Sequence, residues 1–364
     1  MPGPPDEARL DQGEEPLLPP VEIPAAPDRS LRAAPAVPRA RGPAQRDSNV
    51  IESGLDDISI SRAGQAWGIP LPFDGQSVVY VWFDALINYI SALGFGGDQA
   101  LFDRWWPASL HVIGKDITRF HCVIWPAMLM SAGVPLPERV FGHGFVYFKG
   151  EKMSKSLGTI VDPLDAASKF GPDPLRLYLV REFAYGQDGD FSWERFEERY
   201  NSDLANNLGN LISRIATMAE KYCGGRLPVP AAPAGRLADT ARAAVASYRA
   251  AMDALALHDG MASAYALVDA ANLFITETEP WKLAKDESNA PRVAQILYEV
   301  AEALRIAAVL LLPVMPASAG EILRRVGAPK RASEHRLDDA AWNSAGDRVT
   351  IKADAMWPRI QKQQ

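Results

Sequence analysis

Val140-Phe141-Gly142-His143-Gly144-Phe145-Val146-Tyr147-Phe148, then Lys149-Gly150-Glu151, then Lys152-Met153-Ser154-Lys155-Ser156 is the stretch whose reading decides this chain. Its first part alternates apolar residues with small or polar ones, the period of a strand, and Lys149-Gly150-Glu151 supplies a turn. Two lysines and two hydroxyls therefore fall on a loop just after a strand, with Gly158-Thr159 close behind. Each ammonium is a compact point charge on a flexible stem, able to follow a pyrophosphate as charge moves onto it during attack at an α-phosphorus. Such a loop suits a polyphosphate. The plainer alternative is a solvated Lys/Ser surface loop.

Upstream, Val79-Tyr80-Val81-Trp82-Phe83-Asp84-Ala85-Leu86-Ile87-Asn88-Tyr89-Ile90 reads as a buried strand running into a helix. That reading places Trp82, Ala85 and Tyr89 at the strand's C-terminal end, where ligands bind in parallel α/β sheets. Leu110-His111-Val112-Ile113 reads as a second strand, Gly114 to His121 as a glycine turn and helix start, and the residues through Trp125 and Leu129 as an apolar helix. Backbone N–H groups and the dipole at such a start favour phosphate. Taken alone, Trp82 and Tyr89 also fit as core aromatics, and His121 as a satisfied buried histidine.

The pentapeptide resembles the KMSKS signature of class I aminoacyl-tRNA synthetases, and the two upstream segments resemble methionyl-tRNA synthetases, from about Ile51 to about Leu323. The resemblance implies a partial Rossmann-type α/β nucleotide-binding fold followed by an all-α anticodon-binding bundle. It implies that Lys152, Met153, Ser154, Lys155 and Ser156 close over ATP as the aminoacyl adenylate forms, with Gly114 and Lys115 near the nucleotide. Trp82, Ala85, Tyr89, Ile117 and His121 become the walls of a methionine pocket, and Asp116 accepts the substrate's α-ammonium. An unbranched thioether offers only dispersion and weak sulfur contacts, so rings with one polar tip make a sensible receptor. Leu86 stands where many relatives carry proline and alters the pocket wall slightly. The implied cofactors are ATP and Mg2+, and the implied partners methionine and tRNA(Met).

Downstream the pattern turns helical. Asp173 reads as an N-cap with Pro174 opening a helix from Leu175 to about Ala184, and Gly186 to Ser192 as a turn before a helix that starts near Trp193. In the family, Asp188 to Trp193 lies near the inner bend of the tRNA. Leu204, Leu208, Leu211, Ile215 and Met218 then make an apolar stripe beside the polar stripe Asp203, Asn207, Asn210 and Arg214. A polar stripe is ordinarily a solvated face, but amide and guanidinium forks also read unpaired base edges. By resemblance, Asn210 and Arg214 read the CAU anticodon and Trp281 stacks on one of its bases. Without that resemblance, Trp281 is equally a helix-end core residue after Pro280.

The layout read from sequence is a Pro/Ala/Arg-rich disordered segment over 1–47, half of a catalytic domain over 50–165, linking helices over 166–194, an anticodon bundle over 195–330 and a tail over 331–364 that packs back. A net charge of −7, from 38 basic and 45 acidic residues, is no nucleic-acid-binding average, though a local basic face can serve tRNA. Cys122 and Cys223 are the only cysteines, so neither a zinc knuckle nor a disulfide framework is expected, and no metal site is assigned. The run from Ile306 to Pro316 is too short to span a bilayer, and a cytoplasmic location without membrane contact is expected.

The family also opens with an H-x-G-H motif and carries a zinc-binding insertion, whereas the histidines here are His111, His121, His143, His258 and His335 with no such motif. The expectation is a methionine–tRNA ligase chain that is incomplete at its N-terminus, lacks the family's zinc site, pairs with or has lost its other half, and is inactive alone. Two other classes stay open: a non-catalytic tRNA-binding fragment, and a class I ligase for leucine, isoleucine, valine or cysteine.

Overall fold

A computed structural model describes residues 51–55, 58–153, 161–231, 235–343 and 346–361. The disorder expected over 1–47 and the positions of Ser154, Lys155 and Ser156 lie outside the described residues. The chain is mixed α/β and divides into two compact units, one ending at His143 and the other beginning at Gly144.

In the first unit, β1 (Ser61–Ala63), β2 (Pro70–Leu71) and β3 (Asp74–Val79) form an antiparallel sheet in the order β1-β3-β2. Helix α1 (Val81–Ser91) follows at once, then α2 (Gln99–Trp105), whose N-terminus is capped by Asp98 accepting from Leu101 N at 3.0 Å. Strand β4 (His111–Gly114) pairs in parallel with β5 (Val140–His143). Between them run a short 3-10 turn (Lys115–Ile117), a wide π turn (Phe120–Ile124) and α3 (Trp125–Ser131). Leu86, Ile90, Phe102, Trp106, Trp125, Leu129 and Val134 make the core, and Trp106 donates its indole N–H to the Pro135 carbonyl at 2.8 Å.

Two sequence readings need correction here. The strand read from Val79 ends there, so Trp82, Ala85 and Tyr89 lie on α1 rather than at a strand end. Both described partners of β3 are antiparallel, so the parallel-sheet argument does not apply to it. The apolar run hid the junction because no polar residue marks it. Leu86 is likewise a core residue, fully buried.

In the second unit, β6 (Val146–Phe148) pairs antiparallel with β7 (Glu151–Lys152) and parallel with β8 (Gly189–Phe191). The single strand read over Val140 to Phe148 is therefore two. Gly144 breaks it: a Cβ there would collide with the Gln187 carbonyl and the Asp188 nitrogen, and Phe145 N donates to Asp188 Oδ1 at 2.8 Å. The turn at Lys149-Gly150 is present, with φ of 52° and 79°. Strand β6 thus lies between β7 and β8 in one three-stranded sheet of the unit that begins at Gly144.

Helices α4 (Pro163–Phe170), α5 (Pro172–Glu182) and α6 (Trp193–Arg199) lead into a second π turn (Tyr200–Gly209) and α7 (Asn210–Cys223). Asp173 is not an N-cap; it lies inside α5, buried, and its Oδ2 accepts from Ser318 N at 2.6 Å, satisfying the first turn of another helix. The span read as a turn before Trp193 contains β8. After β9 (Arg226–Leu227) come α8 (Arg236–Asp253), α9 (Leu257–Thr278), α10 (Pro280–Leu283), α11 (Ala290–Leu311) and α12 (Pro316–Arg325). Helix α11 is buried along nearly its whole length and forms the axis around which α7, α8, α9 and α12 pack.

The tail returns to this bundle. Strand β10 (Arg348–Val349) pairs with β9, Trp357 is buried, and the Asn201 amide holds the Ile360 backbone from both sides at 2.9 and 3.0 Å.

Candidate functional site

Two groups of sequence-selected residues are brought together, one in each unit. In the first unit, Trp82, Ala85 and Tyr89 recur at three- and four-residue spacing and so share one stripe of α1. The π turn after β4 presents His121 to that stripe. The His121 Nδ1 lies 3.0 Å from the Ile117 carbonyl, which can only accept, so Nδ1 carries the proton and donates. The Nε2 is then an acceptor, and the Tyr89 hydroxyl donates to it at 2.9 Å. This chain fixes the tautomer of a histidine that is 1% exposed, while leaving the lone pairs of the Tyr89 oxygen for another donor. Burial also pushes the Tyr89 hydroxyl above its ordinary pKa, so it stays protonated at neutral pH.

Trp82 closes the group edge-on to His121, with ring centroids 6.4 Å apart. Phe120, which the sequence reading passed over, stacks flat on Trp82 at 4.2 Å and 14°. His111 was passed over too. It packs 4.5 Å from the Tyr89 ring and 6.2 Å from His121, is buried, and its Nε2 has no partner among the described residues. The available signal was a run of aromatics and histidines on two neighbouring segments, but no period links them. Burial first, and then the neighbouring His121, which disfavours a second positive charge, hold His111 below its ordinary pKa.

Ala85 is exposed on the same helical stripe, and Asp116 is exposed on the turn that carries Lys115 and Ile117. A Cβ at Gly114 would meet Asp116 Oδ1 at 2.5 Å, a contact the exposed carboxylate can turn away from. Gly142 of β5 lets that strand approach the turn, with Thr118 Cγ2 only 3.0 Å from where its Cβ would be.

In the second unit, Lys152 ends β7 and Met153 packs against the bundle core. The polar stripe read along the next helix divides in two. Asp203 is paired to Arg181 at 3.2 Å, and Asn207 is tied to Asp269 and Asn272, each at 2.7 Å, so these two hold the bundle together. Asn210 is exposed, and its side chain makes no hydrogen bond among the described residues. Arg214, one turn on, has its guanidinium 5.8 Å from the Trp281 ring centroid, within cation–π range. Trp281 reaches that position through a sharp corner, since α9 ends at Thr278, Glu279 adopts φ of 43° and Pro280 opens α10.

A family model described as class I tRNA synthetases (M) matches residues 39–216. Methionine–tRNA ligase of Thermotoga maritima is 45% identical over 318 residues, spanning 85% of this chain and 50% of that protein. That of Brucella melitensis is 46% identical over 295 residues, 79% and 56% of the two. The chain is similar to methionyl-tRNA synthetases along most of its length. Among solved structures of that family, Mycobacterium tuberculosis methionyl-tRNA synthetase in complex with methionyl-adenylate superposes with a TM-score of 0.80 at 41% identity, over 90% of this chain and 64% of that one. The chain thus spans about half the length of the curated methionyl-tRNA synthetases it matches. Among the described residues no helix is long and apolar enough to cross a membrane, and no group of three or more His, Cys, Asp or Glu could hold a metal ion.

Proposed function

We propose that this chain supplies the methionine pocket, the KMSKS loop and the anticodon-reading bundle of a methionine–tRNA ligase, which activates methionine with ATP and Mg2+ and transfers it to tRNA(Met). The observation that carries this reading is the Ile117–His121–Tyr89 hydrogen-bond chain beside Trp82. It presents one oriented hydroxyl among aromatic faces, a receptor matched to a thioether, which is polarizable and a weak acceptor.

On this reading the α/β elements belong to a Rossmann-type half-domain and the helices after residue 195 to the anticodon domain. Trp82, Ala85, Tyr89, Ile117 and His121 contact the methionine side chain, and Asp116 takes the α-ammonium. Gly114 and Lys115 lie by the nucleotide. Lys152 and Lys155, with Met153, Ser154 and Ser156, neutralise charge on the departing pyrophosphate. The solved relative bound to methionyl-adenylate supports an adenylate as the intermediate. Asn210 and Arg214 read base edges, and Trp281 offers a stacking face.

The test joins this chain to the parts of the Thermotoga maritima relative that it does not cover, and measures amino-acid-dependent ATP–pyrophosphate exchange. Methionine should be preferred over leucine, and His121→Ala should cut that preference by about 1 to 3 kcal/mol. Unchanged selectivity in the variant would remove the pocket assignment.

A further inference from the structure

The hairpin that leads into Lys152 is gripped at its tip by two carboxylates that the proposed function does not use. Its turn has two central residues, Lys149 and Gly150, and both have positive φ, 52° and 79°. Such turns favour asparagine, aspartate or glycine, and a lysine at the first position is held there against its own preference. The contacts that hold it come from outside the hairpin. The Asp190 carboxylate, on β8, accepts from Gly150 N at 2.8 Å. Glu194, in the first turn of α6, lies 3.6 Å from the Lys149 ammonium, and Lys149 N donates to the Phe191 carbonyl at 3.4 Å.

The strand that supplies these contacts is fixed to the helices. Phe191 is buried and packs edge-on against Tyr178 of α5 at 5.5 Å and against Trp193 of α6 at 5.3 Å. Gly189 lets β8 pass close to the end of α5, since a Cβ there would enter the Phe183 ring. Asp188, just before β8, ties down the hairpin's base through Phe145 N, and Asp190 ties down its tip. Both aspartates are exposed, so neither fills a core, and aspartate is a poor strand residue. Strand β7 is only two residues long and pairs with β6 alone among the described residues. A hairpin of that size is marginal without support, so the course of β7 depends on the turn.

We propose that Asp190 is a positioning residue for adenylate formation: by holding Gly150 N it sets the course of β7 and so the place of the Lys152 backbone beside the nucleotide phosphates. In that step a methionine carboxylate oxygen bonds to the α-phosphorus, the bond from that phosphorus to the bridging oxygen breaks, and pyrophosphate leaves with the electron pair. The proposal deepens the ligase reading and rests on it. Asp190, Glu194 and the hairpin all belong to the unit that begins at Gly144, so the helical unit carries the lysines that meet the leaving group.

Two measurements test it. On the full chain, tryptic cleavage after Lys149 and Lys152 is timed by mass spectrometry for the unaltered protein, Asp190→Ala and Asp190→Asn, with thermal melting as the check on the fold. Asp190→Ala should be cut there about tenfold faster at unchanged Tm, whereas the asparagine, whose Oδ1 still accepts from Gly150 N, should stay near the unaltered rate. In the enzyme completed with the uncovered parts of its Thermotoga maritima relative, Asp190→Ala should lose about tenfold or more in kcat for methionine-dependent ATP–pyrophosphate exchange, with KM for methionine unchanged. Asp190→Asn should recover most of that loss. Equal cleavage of all three chains, or full kcat in Asp190→Ala, overturns the proposal and leaves the methionine pocket standing. An equal loss in both variants together with a lower Tm also overturns it, because Asp190 then only supports the fold. A completed enzyme without methionine-dependent exchange overturns the ligase reading and the proposal with it.

Discussion

His111 in the first unit and Glu302 in the second are buried polar groups. The His111 imidazole is held below its ordinary pKa of 6.5, chiefly by burial. In the unfolded chain it titrates normally, so as pH falls below about 6.5 the unfolded state takes up the proton first. His111 thus contributes stability above that pH, and the contribution is lost on acidification towards its lowered folded value. Between pH 7 and pH 5 the Tm of the chain should fall more steeply than that of His111→Phe. His335, held low in the same direction, is present in both and cancels. Parallel slopes would contradict the account. In the second unit, Glu302 accepts from Arg305 Nε and Nη2 at 2.9 and 2.8 Å and from Asn343 N at 2.7 Å, and it also pairs with Arg348. One carboxylate therefore serves two buried guanidiniums, and Glu302→Ala leaves both unpaired. A loss of about 3 to 5 kcal/mol is expected, read as a lower urea midpoint.

At the scale of elements, two π turns carry polar groups with partners far along the chain, Phe120–Ile124 with His121 and Tyr200–Gly209 with Asn207. A wide turn inside a helix re-aims side chains, which is one reason such turns occur at functional sites. Gly209 ends the second of them between the Leu204 carbonyl and the Trp357 ring, 2.8 and 3.1 Å from where a Cβ would lie. Gly209→Ala should therefore destabilise the bundle by about 1 to 3 kcal/mol, seen as a lower Tm, although alanine is the better helix former. An unchanged Tm would mean that the tail does not pack there.

The same elements mark what the sequence could disclose. The stripe of Leu204, Leu208, Leu211 and Ile215 was legible because each is buried at regular helical spacing. The turn at Lys149-Gly150 was legible because it needs left-handed backbone. The junction at Tyr80 and the break at Gly144 were not, since an unbroken apolar run has no internal marker and the cause at Gly144 is a distant carbonyl at Gln187. The pocket residues were chosen by resemblance. The hydrogen bonds that orient His121, and the difference between tied Asn207 and open Asn210, depend on partners far along the chain.

Over the whole molecule, the second unit has an extensive helical core, whereas the first has a small one beside exposed apolar side chains. Trp67, Phe73, Val81 and Ile69 are 90, 66, 63 and 56% exposed. Apolar surface of this kind binds partners or aggregates. The chain should bind an apolar dye and associate as concentration rises, and Trp67→Ser with Phe73→Ser should reduce both, read by dye fluorescence and light scattering. No change in either would show that this surface is not the cause. The central claim, that one chain carries both the methionine pocket and the anticodon reader, is tested most directly by aminoacylation. The enzyme completed with the uncovered parts of its Thermotoga maritima relative is offered methionine or leucine, with a tRNA bearing CAU or the same tRNA with its anticodon exchanged. Methionine on the CAU tRNA alone, lost with Arg214→Ala and reduced with His121→Ala, is the predicted result; charging that ignores the anticodon, or that accepts leucine equally well, would contradict it.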